Sequence, residues 1–209
     1  MKYTIIDMPH AGLFECALST ELGESKAGGI VEEARARYGK LYAGREQYDN
    51  GSLRRHLEEN LLPGVALYRA LLADPETCEE AMPLFEVAVE AWAASQRKSL
   101  ERLARLPVYY WLMRAVIKPM MRSKFPEEGW ETEWVQSNGQ ALAFNMKSCF
   151  YLDVLGAYGV PELAIQYCRM DDLIYKDLSP HVRWVRQGTL GRGDRHCDFR
   201  FERVKGEQR

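Results

Sequence analysis

The feature that most constrains the fold is a change of hydrophobic period at Pro126-Glu127-Glu128-Gly129. Before it, from about Lys26 to Lys124, Glu, Ala, Leu and Arg recur at three- and four-residue spacing, the period of amphipathic helices. After it, apolar residues alternate with polar ones, the period of half-buried strands. A chain of 209 residues with 46% apolar and 28% charged side chains can fill one sizeable core without cross-links. The expected fold is a single α+β domain over 1–209, with a helical half at about 26–124 packed with a C-terminal antiparallel sheet of about four strands at about 130–204.

Within the helical half, the pattern predicts pieces at Lys26–Tyr42, Ser52–Leu61, Pro63–Leu72, Pro75–Leu106 and Pro107–Ser123. Asp74 is placed to cap the fourth of these, with Pro75 at its first turn and Pro83 kinking or restarting it. In the second half, Trp130–Gln136 and Gln140–Lys147 flank a turn at Ser137-Asn138-Gly139. A three-residue loop with Gly139 left-handed pairs Trp134 with Leu142, Thr132 with Phe144 and Trp130 with Met146, giving one apolar face. Cys149–Tyr158 reads as a short helix ended by Gly159, and Pro161–Leu178 as a second. Val182–Leu190 and His196–Val204 form the last hairpin, around Gly191-Arg192-Gly193-Asp194.

Charge and composition exclude several function classes. The formal net charge is −2 and the basic residues read as spread along the chain, so the field that draws nucleic acid is missing. The start, Met1 to Asp7, has no apolar leader segment, which points to the cytoplasm. The most hydrophobic run, Pro107 to Met121, is interrupted by Arg114 and Lys118 and is shorter than the ~20 apolar residues of a span. It reads as a buried or amphipathic helix. The five cysteines are odd in number and carry no paired metal-ligand spacing, so thiols are expected and no metal or other cofactor is called for. A homo-oligomer is compatible with this balance. Walker, zinc-protease and nucleophile-elbow motifs are missing.

The last hairpin carries the strongest chemical signal. Its alternation puts Trp184, Arg186, Gly188, Cys197, Phe199 and Phe201 on one face, with Gly188 opposite Cys197 leaving space beside the thiol. A guanidinium among aromatic rings needs an anion, because an unpaired buried charge costs several kcal/mol by order of magnitude. That anion is either a substrate carboxylate held by a bidentate fork or a carboxylate of the chain itself, Asp171 or Asp172. On the preceding helix, Leu163, Tyr167, Met170, Ile174 and Leu178 form the stripe facing the sheet, and Cys168, Asp171 and Tyr175 lie together along its flank. Asp171 is the candidate proton carrier there, its pKa raised by partial burial, and the alternative is an exposed polar edge with an inert cysteine. Cys149 and Trp184 complete the candidate wall. His196 falls on the opposite face from Cys197. Two other readings stay open, a non-catalytic module binding a small acid and a zinc or redox site built on Cys149, Cys168 and Cys197.

The strings Cys149-Phe150-Tyr151, Gly159-Val160-Pro161-Glu162-Leu163, Cys168-Arg169-Met170-Asp171, and Arg186-Gln187-Gly188-Thr189-Leu190-Gly191-Arg192-Gly193 through Cys197-Asp198-Phe199-Arg200-Phe201 resemble the L-2-amino-thiazoline-4-carboxylic acid hydrolase family. Leu62-Pro63, Ala66-Leu67-Tyr68 and Glu79-Glu80-Ala81 carry a fainter likeness in the helical half. The resemblance implies a hydrolase that opens 2-amino-thiazoline-4-carboxylate, a cyclic amidine, to N-carbamoyl-cysteine. On that reading the partner is a small carboxylated substrate. Asp171, Cys168 and Cys197 would serve catalysis, and Arg186, Tyr175, Cys149 and Trp184 would bind the substrate.

Overall fold

The computed structural model describes residues 7–204, so nearly all of the N-terminal stretch read above for a leader lies outside it. Among the described residues no helix is long and apolar enough to cross a membrane. The fold is α+β, with helices mostly in the N-terminal part and a four-stranded antiparallel sheet in the C-terminal part. The chain divides into two compact units, one of Met1–Trp92 with Val154–Val160 and one of Ala93–Asp153 with Pro161–Arg209.

The first unit is helical, built from α1 (Ala11–Leu22), α2 (Glu24–Ala43), α3 (Gly51–Arg55), α4 (Leu62–Ala73) and the start of α5 (Ala81–Ala104). α2 packs against α1 and α4, burying Phe14, Leu18, Ile30, Leu67 and Leu71. The pattern reading misses α1. Its first residue follows His10 in the left-handed region at φ 65°, with no side-chain cap, so it carries none of the usual start signals. Between α3 and α4 the helix widens into a π-turn at His56–Leu61. Pro63 has no N–H to give the Glu59 carbonyl, and His10 Nε2 lies 3.0 Å from that oxygen instead. The predicted helix from Pro75 begins only at Ala81. Asp74 closes a tight turn first, its Oδ1 accepting from Glu76 N at 3.0 Å.

The second unit holds the rest of α5, α6 (Tyr109–Lys124), β1 (Thr132–Ser137), β2 (Ala141–Met146), the start of α7 (Phe150–Ala157), α8 (Ala164–Tyr175), β3 (Val182–Val185) and β4 (Cys197–Arg203). The strand order is β1-β2-β4-β3, antiparallel throughout. The first hairpin's register differs from the expected one: Thr132 pairs with Met146 and Trp134 with Phe144. An irregularity between Trp134 and Gln136 expels Val135 to solvent and shifts the later pairs by one. Gly139 is not left-handed. The loop closes through Asn138, whose Oδ1 accepts from Gln140 N at 2.8 Å and Ala141 N at 3.2 Å, an Asx turn.

The expected stripe on α8 is buried, from Leu163 through Tyr167, Met170 and Ile174 to Leu178. Each such apolar side chain stabilises the unit by about 1.5–3 kcal/mol. Arg97 secures the end of this helix by donating to the carbonyls of Ile174 (3.2 Å), Lys176 (2.6 Å) and Asp177 (3.0 Å). α8 is thereby fixed along its length, which sets where Cys168, Asp171 and Tyr175 point.

Candidate active site

The candidate residues converge in the second unit, where α8 meets the segment joining β3 to β4. Trp184 pairs with Phe201, as the sequence alternation predicts, and Cys197, Phe199 and Phe201 are buried while Asp198, Arg200 and Glu202 are less so. β3 nonetheless ends at Val185, well short of Leu190. Side chains replace the ladder there. Asp198 Oδ1 accepts from Gln187 N at 2.9 Å and Gly188 N at 2.6 Å, and Asp194 Oδ2 accepts from Thr189 N at 2.8 Å. Leu190–Arg192 then curl into a 3-10 turn.

This irregular loop is a cradle for sulfur. Leu190 N donates to Cys197 Sγ at 3.2 Å, and Thr189 Oγ1, 2% exposed as a residue, lies 3.4 Å from the same atom. Cys168 reaches Cys197 from α8 through a side-chain hydrogen bond. The two thiols share their protons unequally. Hydrogen bonds from Cys168, Thr189 and Leu190 hold the Cys197 thiol below its usual range, while donation to Cys197, together with burial, pushes Cys168 up. Cys149 sits at the N-terminal end of α7, its thiol raised by burial and within electrostatic reach of both. All the cysteines are free thiols. Among the described residues no group of three or more His, Cys, Asp or Glu side chains is arranged to hold a metal ion.

Two glycines have roles that differ from the expectation. Gly188 does not open space beside the thiol. A Cβ there would meet the His196 carbonyl oxygen at 3.0 Å, so the glycine allows two backbone segments to touch. Gly191 is the glycine that accommodates sulfur. A Cβ at this position would lie 2.8 Å from Cys168 Sγ and 3.2 Å from Ile165 Cα.

Arg186 lies between the sulfur cradle and α8, with 4% of its side chain exposed. Nη1 donates to Asp171 Oδ2 at 3.2 Å, and Nη2 donates to Asp172 Oδ2 at 2.5 Å and to the Cys168 carbonyl at 2.6 Å. Its charge is also 5.8 Å from the ring centres of Trp184 and Phe199. Of the two anions that the sequence leaves open, the one present is the chain's own. Asp172 takes the shorter contact and also accepts from Trp184 Nε1 at 2.8 Å, which locks that indole in place. Tyr175 packs at 5.2 Å from Trp184 and edge-on to Phe201 at 5.3 Å, closing the aromatic side.

Asp171 is the outlier among these groups. Burial pushes its carboxyl up to about 7, against the opposing pull of Arg186, with Cys168 and Asp172 adding to the rise. The weak hold of Arg186 fits its geometry, since the guanidinium's shorter contacts go to Asp172 and Cys168. About a third of the Asp171 side chain, 34%, still touches solvent. A carboxyl raised toward neutrality therefore stands at the edge of a cluster whose other members are tied down.

That cluster is assembled from the same strings that the sequence singles out: Cys168-Arg169-Met170-Asp171 supplies the helix side, and Arg186 to Phe201 supplies the cradle and its aromatic floor. A family model for L-2-amino-thiazoline-4-carboxylic acid hydrolase matches residues 54–201. The chain belongs to the L-2-amino-thiazoline-4-carboxylic acid hydrolase family. The match includes every candidate residue. No curated protein matches the chain. The spacing of the closing motif now has a physical reason: Thr189 and Leu190 hold the sulfur of Cys197, Gly191 makes room for that of Cys168, and Asp198 ties down the start of the loop.

Thr189 and Asp198 contact the cluster without standing among the candidate site residues, and Asp172, foreseen only as a possible ion-pair partner, takes the shorter contact with Arg186. The signal for both Thr189 and Asp198 is their place in the closing motif, Thr189-Leu190 to Cys197-Asp198-Phe199. A separate cleft of about 650 Å3 in the first unit is lined by Gly23, Lys26, Arg37 and Asp74 among others. None of the site residues lines it, and its Lys26 is neutralised by Asp74 at 2.8 Å and Glu76 at 3.2 Å.

Proposed function

We propose that the protein hydrolyses a small carboxylated cyclic amidine, of which 2-amino-thiazoline-4-carboxylate is the type, to N-carbamoyl-cysteine. The observation that carries this reading is Asp171: a carboxyl balanced near pH 7, partly open to solvent, beside a guanidinium and a thiol pair. The family's name supplies the substrate class.

The chemistry is a net addition of one water. Water attacks the ring carbon that lies between nitrogen and sulfur, and Asp171 in its ionised form takes the proton from that water. The carbon–sulfur bond then breaks as the new hydroxyl becomes the carbonyl, its proton passing to the ring nitrogen, and Asp171 returns the first proton to the leaving sulfur, so the carboxyl ends as it began. The substrate carboxylate pairs with Nη1 of Arg186, the arm that holds Asp171 at the longer distance of 3.2 Å. Substrate and Asp171 therefore compete for one donor, and a bound carboxylate raises the pKa of Asp171 further, strengthening it as a base. Cys168 and Cys197 form a polarisable wall against the ring sulfur, with Tyr175, Cys149 and Trp184 bounding the site. Water is the nucleophile, since Cys197 is buried and its sulfur is already held by Leu190, Thr189 and Cys168.

The test is incubation of the purified chain with 2-amino-thiazoline-4-carboxylate, following N-carbamoyl-cysteine by mass spectrometry. Product formation that falls by about 10²–10⁴ in Asp171→Asn supports the assignment. An undiminished rate in that variant, or tight substrate binding without product in the native chain, refutes it. A covalent adduct on Cys197 in the intact-protein mass during turnover would overturn the role given to water.

A further inference from the structure

Seven of the ten large apolar side chains left exposed among the described residues lie between Leu103 and Met120. Most are on α6. At 100° per residue, Val108, Leu112, Val116 and Met120 descend one side of its outer face and Trp111 stands on the other. The opposite arc, with Tyr110, Ile117 and Met121, is buried. The exposure is substantial, 41% for Trp111 and 54% for Val116.

Charge on this stretch is one-sided. Between Glu101 and Glu127 the chain carries six cationic residues and no acidic one, a bias that the whole-chain charge of −2 conceals. Arg114, Lys118 and Arg122 recur at four-residue spacing and form a line beside Trp111. Arg114 lies 5.7 Å and Arg203 4.9 Å from the Trp111 ring centre, so the indole is bracketed by positive charge.

We propose that the outer face of α6 is a docking surface for an anionic lipid bilayer, with Trp111, Leu112 and Val116 entering the headgroup boundary and the cationic line meeting lipid phosphates and carboxylates. A single convex helix face with an apolar arc, a flanking row of cations and an exposed indole is the form of an interfacial helix that lies on a membrane without crossing it. A second copy of the chain fits poorly. A two-fold contact through this face would set the cationic lines of both copies close together, where like charges repel. Nucleic acid would engage the cations and leave the apolar arc in water.

The test is flotation of the full chain with vesicles of phosphatidylcholine plus phosphatidylserine and with vesicles of phosphatidylcholine alone. Binding is expected for the first and is weakened by added salt. The triple change Arg114→Gln, Lys118→Gln and Arg122→Gln is expected to weaken it roughly a hundredfold. The double change Leu112→Ser and Val116→Ser is expected to weaken it by a similar order, and Trp111→Phe removes any blue shift of emission on binding. Thermal melts of both variants report whether the surface changes leave the fold intact. Equal, salt-insensitive binding to both vesicle types overturns the proposal, as does binding to neither. A dimer in solution that Val116→Ser dissolves, or single-stranded DNA binding that displaces the vesicles, also overturns it.

Discussion

Replacing Arg186 by methionine, which keeps an apolar stem of similar reach, tests the centre of the second unit. The guanidinium makes charge-assisted hydrogen bonds to Asp171, Asp172 and the Cys168 carbonyl, each worth roughly 1.5–3 kcal/mol where water cannot replace it. Water can partly replace it at the two carboxylates, which are 34% and 43% exposed. Methionine also avoids the cost of burying a cation. The net loss is then about 3 kcal/mol, a fall in Tm on the order of 10 °C for a chain of this size. Urea denaturation followed by circular dichroism measures it. The loss should be larger at pH 8 than at pH 5.5, because Asp171 is protonated at the lower pH and no longer needs the partner. A change under about 1 kcal/mol, or one that is independent of pH, would refute the view that this arginine organises the cluster.

The remaining predictions concern its neighbours. Gly191→Ala drives a methyl group into Cys168 Sγ and the Ile165 backbone and should destabilise the protein by about 1–3 kcal/mol in the same denaturation assay. Thr189→Val removes a hydrogen bond from Cys197, so the thiol's pKa should rise, seen as a shift to higher pH in thiolate absorbance. The Asp171 carboxyl is raised in the folded state to about 7, whereas the unfolded chain releases that proton near the ordinary carboxylate range, about 4. The folded state therefore holds the extra proton between these values, and stability from this group falls as pH climbs from about 4 through about 7. Asp171→Asn should flatten that slope, which after discounting for solvent contact amounts to about 2 kcal/mol.

Much of this arrangement is legible in the residues because strand alternation is unforgiving. Placing Trp184 opposite Phe201 puts Cys197, Phe199 and the stem of Arg186 on one face whichever loop joins the strands. The stripe on α8 follows in the same way from its spacing. Other features depend on choices that periodicity does not encode. Val135 keeps an alternating pattern while being squeezed out of the ladder, so the register shift in the first hairpin has no sequence mark. β3 stops at Val185 because Asp198 and Asp194 capture backbone N–H groups from across the loop, a local competition between side chain and ladder. The partner of Arg186 depends on the rotation of α8 about its own axis, fixed by Arg97 at its far end. The basic stretch of 102–124 is hidden by averaging over a nearly neutral chain.

The most direct measurement of the central claim is the pH dependence of kcat/KM for 2-amino-thiazoline-4-carboxylate, which reports the groups of the free protein, for the native chain and for Asp171→Asn. A rate that rises with ionisation of a group near pH 7, and a variant slower by two or more orders of magnitude with that limb gone, is the predicted result. A variant that keeps both the rate and the limb would place the working carboxylate elsewhere and contradict the account.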